Sequence, residues 1–438
     1  MKNQLKLFGT DGIRSRFGSG PLSTQSLIAI ANAIALWARE QSVEPIALII
    51  RDTRASGKII NTILCSILSQ HAVQVIDAGI LPTPAAAMLI NAYKATFAII
   101  ITASHNPAHD NGIKILTASG EKISHADEQR ISELVHINKY PASLTSHAKY
   151  ISHYHQAQSD YIAHIKQLYQ SCNLQNVRIV IDCAHGAFSS IAYNILTFCG
   201  ANVTVINNYP TGSNINYQCG AAQEDFFKQA LAQYDFDYAF AFDGDGDRLI
   251  GIDRNGGIID GDDFLWILAN YPAYRSQRAI VGTIMTNEGL AIALQSQNRE
   301  LIRVAVGDKY ISRELINKAL LLGGESSGHI IMRDKNSISD GLITLITFLD
   351  CMQSNTTLPR YAKYIQKQSR IACTLITVDI ENQLQKIARE LNDLWTDARI
   401  IIRPSGTEPV IRVMIEHADK DAAESYLQQA LIRLHKIL

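Results

Sequence analysis

The chain has 438 residues, room for about two to four domains of ordinary size. Lys plus Arg total 40 and Asp plus Glu 41, a net charge of -1, which argues against a protein that coats nucleic acid or an anionic membrane by bulk charge. Hydrophobic residues make up 47% and charged residues 18%, so wholesale disorder is excluded, and the apolar runs, such as Ala85 to Ile90, fall far short of the ~20 residues of a membrane helix.

The opening MKNQLKLFGTDGIR has no apolar stretch of signal-peptide length. Seven cysteines with no C-x-x-C pair read as free thiols, and a cytoplasmic protein without a zinc site is expected. A helical pattern from Thr24 to Arg39 comes first. Strand-like runs follow at Ile46–Ile50, Val73–Asp77 and Phe97–Thr102. A second set is Val177–Asp182, Val203–Asn207 and Tyr238–Asp243, and a third is Ala279–Met285, Leu301–Val306 and Ala319–Leu322. Alternating strands and helices predict α/β units with mostly parallel pairing. The tail differs. Arg370–Ile380 reads as a strand, and Leu384, Ile387, Leu391 and Leu394 have helical spacing. Arg399–Ile402 and Val410–Glu416 read as strands, and Asp419 to Ile437 as a closing helix, so the tail is a small α+β domain. Hinges are expected at about 138–155, after Asp253 and near 353–368.

The polar motifs fall at strand ends, where ligands bind in open parallel sheets. TASHNPAHDNGIK (Thr102 to Lys114) puts Ser104, a nucleophile or phosphoryl carrier, where a strand stops, on a loop shaped by Asn106-Pro107 and Asn111-Gly112. A capped surface loop is the alternative reading. DGDGDR (Asp243 to Arg248) sets three carboxylates at alternate positions with glycines between, which suits Mg²⁺ or Ca²⁺. The EF-hand pattern fails, because Arg248 stands where it needs Gly and Arg254 where it needs Glu. A solvated acidic turn is the competing explanation, and Arg248 suggests an anion nearby. GGESSGH (Gly323 to His329) matches the hydrolase elbow G-x-S-x-G, but a β run follows it where a helix is required. Glu325, Ser327 and His329 read instead as a polar edge for hydroxyl groups. RPSGTEP (Arg403 to Pro409) carries a guanidinium, two hydroxyls and an exposed backbone, the parts of a phosphate cradle or of a plain turn. FGTDGIR (Phe8 to Arg14) adds a Gly-flanked cation. Together these parts describe phosphoryl transfer on a polyol phosphate.

These five motifs, in this order, resemble the α-D-phosphohexomutases over essentially the whole chain, and Asn214-Ile215-Asn216 with Cys219-Gly220 resembles the glucosamine branch. The resemblance implies three related α/β domains with mixed sheets and a small C-terminal α+β domain around a central cleft. The divisions are 1–151 with the phosphoserine loop, 152–254 with the metal loop, 255–365 with the sugar loop and 366–438 with the phosphate loop. It implies a phosphorylated Ser104 whose phosphoryl group passes to the sugar and gives a 1,6-bisphosphate. The substrate would be glucosamine 6-phosphate, converted to glucosamine 1-phosphate for wall precursors. One Mg²⁺ would sit on Ser104, Asp243, Asp245 and Asp247, with a hexosamine or glucose 1,6-bisphosphate as activator. Lys114, Arg14 and His105 join Ser104 in the catalytic set, Lys114 as general acid/base. Glu325, Ser327, His329, Asp308, Lys309 and Arg248 would bind the sugar phosphate, and Arg403, Ser405, Gly406 and Thr407 the phosphate not in transfer. The partner is a small-molecule sugar phosphate, without nucleic acid or membrane, and a homodimer is compatible with the resemblance. Ser15, Lys309, Ser326 and Ala221-Ala222-Gln223 depart from the usual pattern. The alternatives are a phosphomannomutase or phosphoglucomutase, a sugar-phosphate hydrolase, and a binding protein that has lost catalysis.

Overall fold

The computed structural model describes residues 7–9, 11–136, 149, 151–353, 358–373, 378–404 and 410–436. Four sheets divide the chain. The first unit holds β1 (Ile13–Arg16), α1 (Thr24–Gln41), β2 (Ile46–Arg51), α2 (Ala55–Gln70), β3 (Gln74–Ile80), α3 (Thr83–Ala92), β4 (Phe97–Ile101), β5 (Asp110–Thr117), α4 (His125–His136) and β6 (Ile151–His153). The second holds α5 (Ala157–Leu168), β7 (Arg178–Asp182), α6 (Ala192–Phe198), β8 (Asn202–Ile206), α7 (Glu224–Leu231), β9 (Tyr238–Phe242), β10 (Leu249–Asp253) and β11 (Ile258–Ile259). The third holds α8 (Gly261–Ala269), β12 (Ala279–Thr283), α9 (Glu288–Ser296), β13 (Glu300–Val304), α10 (Asp308–Lys318), β14 (Leu322–Gly324), β15 (Ile330–Met332) and α11 (Gly341–Gln353). The fourth holds β16 (Ile365–Ala372), α12 (Val378–Leu394), β17 (Arg399–Pro404), β18 (Val410–His417) and α13 (Lys420–Leu434).

The local chemistry explains these elements. In α1, Leu27, Ile30, Ala31, Ile34, Ala35 and Ala38 are buried at helical spacing, and Ser23 caps the start by accepting from Ser26 N at 3.3 Å. All five residues of β4 are buried, as a strand covered on both faces requires. Asp260 and Asp263 form a reciprocal capping box at α8.

The first three sheets are mixed, with orders β1-β5-β4-β2-β3-β6, β11-β10-β9-β7-β8 and β13-β12-β14-β15. Parallel strands make up the middle, and β5, β10 and β15 run antiparallel at one side. The mixed sheets expected of these three α/β units are found, each with an antiparallel strand beside its parallel ones. This arrangement places the three polar loops equivalently: β4 to β5, β9 to β10, and β14 to β15 each turn back through one of them. The fourth sheet, β16-β18-β17, is antiparallel, and its polar loop joins β17 to β18.

Three predicted elements move. Ala319 ends α10 in a left-handed conformation (φ 52°), so the strand expected at Ala319–Leu322 is β14, starting at Leu322. Arg370–Ile380 is not one strand. β16 starts at Ile365, pairing through Ala372 with β18, and α12 begins at Val378 with Asp379 and Glu381 in its favourable first turn. The expected loop over Thr102 to Lys114 is half strand, since β5 takes Asp110 onward. Gly112 fits there because a Cβ would lie 2.5 Å from Thr102 O and 2.6 Å from Ile13 O of the flanking chain.

One apolar core runs through the first three units, joining Leu48 and Ile100 to Ile181 and Phe240 and on to Phe264 and Leu345. The joint after Asp253, expected as a hinge, is packed across by Phe240, Phe264 and Phe348. The fourth unit has its own core around Ile371, Leu391, Ile411 and Leu427. It meets the third through polar groups. Arg399 pairs with the buried Glu416 and donates to the carbonyls of Ile284 and Thr286, and Glu416 Oε1 accepts Glu288 N at 2.8 Å.

Candidate active site

Ser104 follows β4 in a left-handed conformation (φ 52°), uncommon for a residue with a side chain. Several groups over-determine it. Its N–H donates to Thr102 Oγ1 (2.9 Å), and that hydroxyl donates to Asp52 Oδ2 (2.6 Å). Its carbonyl accepts from Arg54 Nη2 and Asn216 Nδ2, both at 2.8 Å. The hydroxyl is thereby aimed into the second unit, where Oγ donates to Asp243 Oδ2 at 2.7 Å. His105 Nδ1 lies 3.3 Å from the same oxygen. Burial, then Arg248 and Arg14, push the His105 imidazole down to about 4, so it is neutral at neutral pH.

The carboxylates of Asp243, Asp245 and Asp247 are buried, each offering an oxygen within 4.8 Å of the others. Gly246 lets the turn close, with φ 75° and a missing Cβ that would touch Phe188 at 2.3 Å. Lys114 Nζ, on β5, reaches Asp245 Oδ2 (2.9 Å) and Asp247 Oδ2 (3.1 Å) as well as Asp11 (3.1 Å). Burial, then Asp247 and Asp245, hold the Asp243 carboxyl well above its ordinary range. Burial would raise Asp247 too, but Lys114, His329 and Arg248 outweigh it and hold it well below. Burial would lower Lys114, but the surrounding acids keep it an ammonium. Asp245 Oδ1 and Asp247 Oδ1 are buried without a hydrogen-bond partner among the described residues. Two orphaned carboxylate oxygens on a Gly-spaced turn are the donor set of a hard divalent cation.

Charged groups tie this centre to the other units. Arg14 pairs with Asp11 and donates weakly to Ala103 O (3.4 Å). Lys122 pairs with Asp11 and Asp308, Asp308 lies 3.2 Å from His329 Nε2, and His329 Nδ1 lies 3.7 Å from Asp247 Oδ1. Glu325 accepts from Gly307 N (2.9 Å) and Ser327 Oγ (3.2 Å). Arg248 N donates to Asp243 Oδ1 at 3.1 Å. Lys309 instead faces α4, 3.9 Å from Glu128 Oε2. A cleft of 270 Å³ separates Glu325 and Ser327 from Arg403. Ser405, Gly406 and Thr407 lie outside the described residues.

Sequence reasoning placed none of four further residues in the site, although Asn216 carried part of the resemblance. Arg54, fully buried and paired with Asp52 at 2.9 Å, donates to the carbonyls of Ser104, Asn106, Pro107 and Asp110. Asn216 bonds two of the same carbonyls. Thr83 donates to Asp245 Oδ2 at 2.6 Å. Arg412 stands opposite Arg403 across β17 and β18 and lines the same cleft. The available signal was Asp52-Thr53-Arg54 directly after a strand, as with the other loops.

With this geometry stands a match to the phosphoglucomutase/phosphomannomutase models: alpha/beta/alpha domain I over residues 5–141, domain II over 159–257, domain III over 260–368 and the C-terminal domain over 375–432. The chain belongs to this family and is an enzyme, a phosphohexomutase of the isomerase class. It is 36% identical over 440 positions to the phosphoglucosamine mutase of Clavibacter sepedonicus, covering 97% of each chain. It is 35% identical to that of Paracidovorax citrulli, covering 97% of this chain and 98% of that one. Among solved structures it shares its fold with a phosphoglucomutase/phosphomannomutase family protein of Burkholderia thailandensis, with TM-score 0.83, 21% identity and 100% and 98% of the two chains covered. The N-acetylphosphoglucosamine mutase of Aspergillus fumigatus, solved with GlcNAc-6P and magnesium, gives TM-score 0.67 at 14% identity, covering 97% and 94%.

Proposed function

We propose that this phosphohexomutase interconverts glucosamine 6-phosphate and glucosamine 1-phosphate through a phosphorylated Ser104, in the cytoplasm. The observation that carries the reading is Ser104 Oγ aimed at Asp243 Oδ2 across two domains, beside two orphaned carboxylate oxygens. The amino sugar rests on the full-length similarity to phosphoglucosamine mutases.

Asp243, Asp245 and Asp247, with an oxygen of phosphorylated Ser104, would hold one Mg²⁺. That ion, when bound, withdraws charge from the phosphoryl group. In the first transfer the sugar hydroxyl attacks phosphorus, the P–O bond to Ser104 Oγ breaks, and the hydroxyl proton passes to Lys114 as Lys114 gives its own to that oxygen. Lys114 starts as an ammonium, so it acts first as the acid toward the leaving serine oxygen and as the base in the reverse step. Arg14 adds positive charge beside the same group. The bisphosphate then turns in the cleft and its other phosphoryl group returns to Ser104. Glu325 and Ser327, with His329, Asp308 and Arg248 around them, would hold sugar hydroxyls. Arg403 and the 405–407 segment would hold the phosphate not in transfer, and Arg412, across the hairpin, adds charge to that end. A 1,6-bisphosphate of glucose or hexosamine would serve as activator by restoring phosphorylated Ser104.

The test compares kcat/KM for glucosamine, glucose and mannose 6-phosphates at saturating Mg²⁺, each with its bisphosphate, and repeats the assay in EDTA. Glucosamine 6-phosphate should lead, and chelation should stop turnover. A lead of about tenfold or more for glucose or mannose phosphate, a difference of ~1.4 kcal/mol, would overturn the sugar assignment.

A further inference from the structure

A second cavity, of 470 Å³, lies between the first and second domains, away from the cleft that holds Arg403. Small-molecule pockets run from about 300 to 1,000 Å³, and this one exceeds what a bare inorganic anion fills. The first domain supplies Arg51, at the end of β2, and His153, the connection to α5 supplies His155, and the second domain supplies Ser190 and Asn208.

Arg51 and Asp77 are the charged groups on its wall, and no ion pair joins them. Asp77 is already engaged, accepting from Asn61 Nδ2 (2.9 Å) and Gly79 N (3.1 Å) and lying 3.1 Å from His153 Nδ1. Arg51 is half-buried and makes no ion pair among the described residues. Its one side-chain hydrogen bond among them is a long one, to Asp52 O at 3.4 Å. Asp77 is the nearest carboxylate on the wall, but no carboxylate pairs directly with this guanidinium among the described residues, and its planar fork fits the oxygens of a phosphate. Imidazoles stand on the same side, and a hydroxyl and an amide face them from the other domain. We propose that this cavity binds a phosphomonoester of a polyhydroxylated metabolite, its phosphate on Arg51 and its hydroxyls toward Ser190 and Asn208.

The cavity also backs onto both halves of the reaction centre. Arg51 leads directly into Asp52-Thr53-Arg54, and Arg54 holds the Ser104 carbonyl. On the facing wall Ala187 N donates to Gly244 O of the acidic loop at 2.9 Å. Thr53 Oγ1 already spans the seam to His185 O at 2.7 Å. A ligand here would tie the serine loop to the metal loop from behind.

Isothermal titration of the full chain with ribose 5-phosphate and, separately, with inorganic phosphate tests the site. Arg403→Ala, which weakens the catalytic cleft, serves as the control. Ribose 5-phosphate should bind the parent chain and Arg403→Ala alike, more tightly than inorganic phosphate does. Arg51→Gln should weaken it by about tenfold or more, the loss expected for one charge-assisted hydrogen bond. Ser190→Trp, which fills the cavity from the other domain, should abolish binding and keeps the test open if Arg51→Gln folds poorly. Unchanged affinity in both variants overturns the proposal. So does absence of ribose 5-phosphate binding, loss in Arg403→Ala alone, or binding of inorganic phosphate with rejection of the ester.

Discussion

At the scale of single residues, Ser104 is held from below. Arg54 is fully buried, and its guanidinium is spent on Asp52 and on the carbonyls of the 104–110 turn. Removing it would strand the buried carboxylate of Asp52, so Arg54→Ala should cost about 3–5 kcal/mol in urea unfolding. Arg54→Lys keeps the charge but loses the planar fork. It should fold, bind substrate with nearly unchanged KM and lose kcat, because the serine turn is no longer fixed. A larger change in KM than in kcat would deny Arg54 this positioning role. Arg54 also shows where reading the sequence stops. That Ser104 and the three aspartates come together was legible because their polar side chains cluster in short Gly- and Pro-shaped motifs at strand ends. Arg54 was not, since apart from Asp52 its partners lie 50 to 56 residues away and are backbone carbonyls, which leave no mark in the sequence. Lys309 was legible as a cation, but the structure turns it toward Glu128 on α4.

At the scale of elements, the start of α11 joins the second and third domains. Asp340 accepts from Leu342 N (2.9 Å), Ile343 N (3.1 Å) and Tyr161 Oη (2.9 Å) on α5. Burial pushes its carboxyl up to about 6, although those bonds oppose the shift. The folded state therefore holds this proton more tightly than the unfolded chain does. Stability from this group is greatest below about pH 4, falls as pH rises to about 6, and is level above that, by roughly 3 kcal/mol in all. Asp340→Asn should flatten that slope in urea titrations between these pH values; an unchanged slope would assign it to other groups. The central parallel strands were legible because their apolar runs are nearly continuous, as β4 illustrates. The antiparallel strands were harder to see. β5 begins Asp-Asn-Gly, which reads as a turn, and only its close packing between neighbouring strands explains the glycine.

At the scale of the whole molecule, three domains share one core while the fourth, with a core of its own, is joined to them by polar contacts such as those of Arg399 and Glu416. The cleft between Glu325 and Arg403 therefore lies between two separately packed cores. Arg403, on the fourth domain, has a buried Nε without a partner among the described residues. Arg403→Ala should lower kcat/KM roughly ten- to several-hundred-fold, from about 1.5–3 kcal/mol for each charge-assisted bond lost. The loss should appear for the 1-phosphate and the 6-phosphate alike if, as proposed, either end of the intermediate meets this arginine. A loss confined to one direction of the reaction would contradict a shared phosphate site.

The central claim is that Ser104 carries the phosphoryl group. Intact-mass analysis with peptide mapping, on protein incubated with the 1,6-bisphosphate, tests it directly. The parent chain should gain one phosphoryl group on the peptide that contains Ser104, and Ser104→Ala should gain none, fold normally and lose essentially all turnover. A phosphoryl group mapped to another residue, or near-normal turnover by Ser104→Ala with bisphosphate supplied, would contradict it.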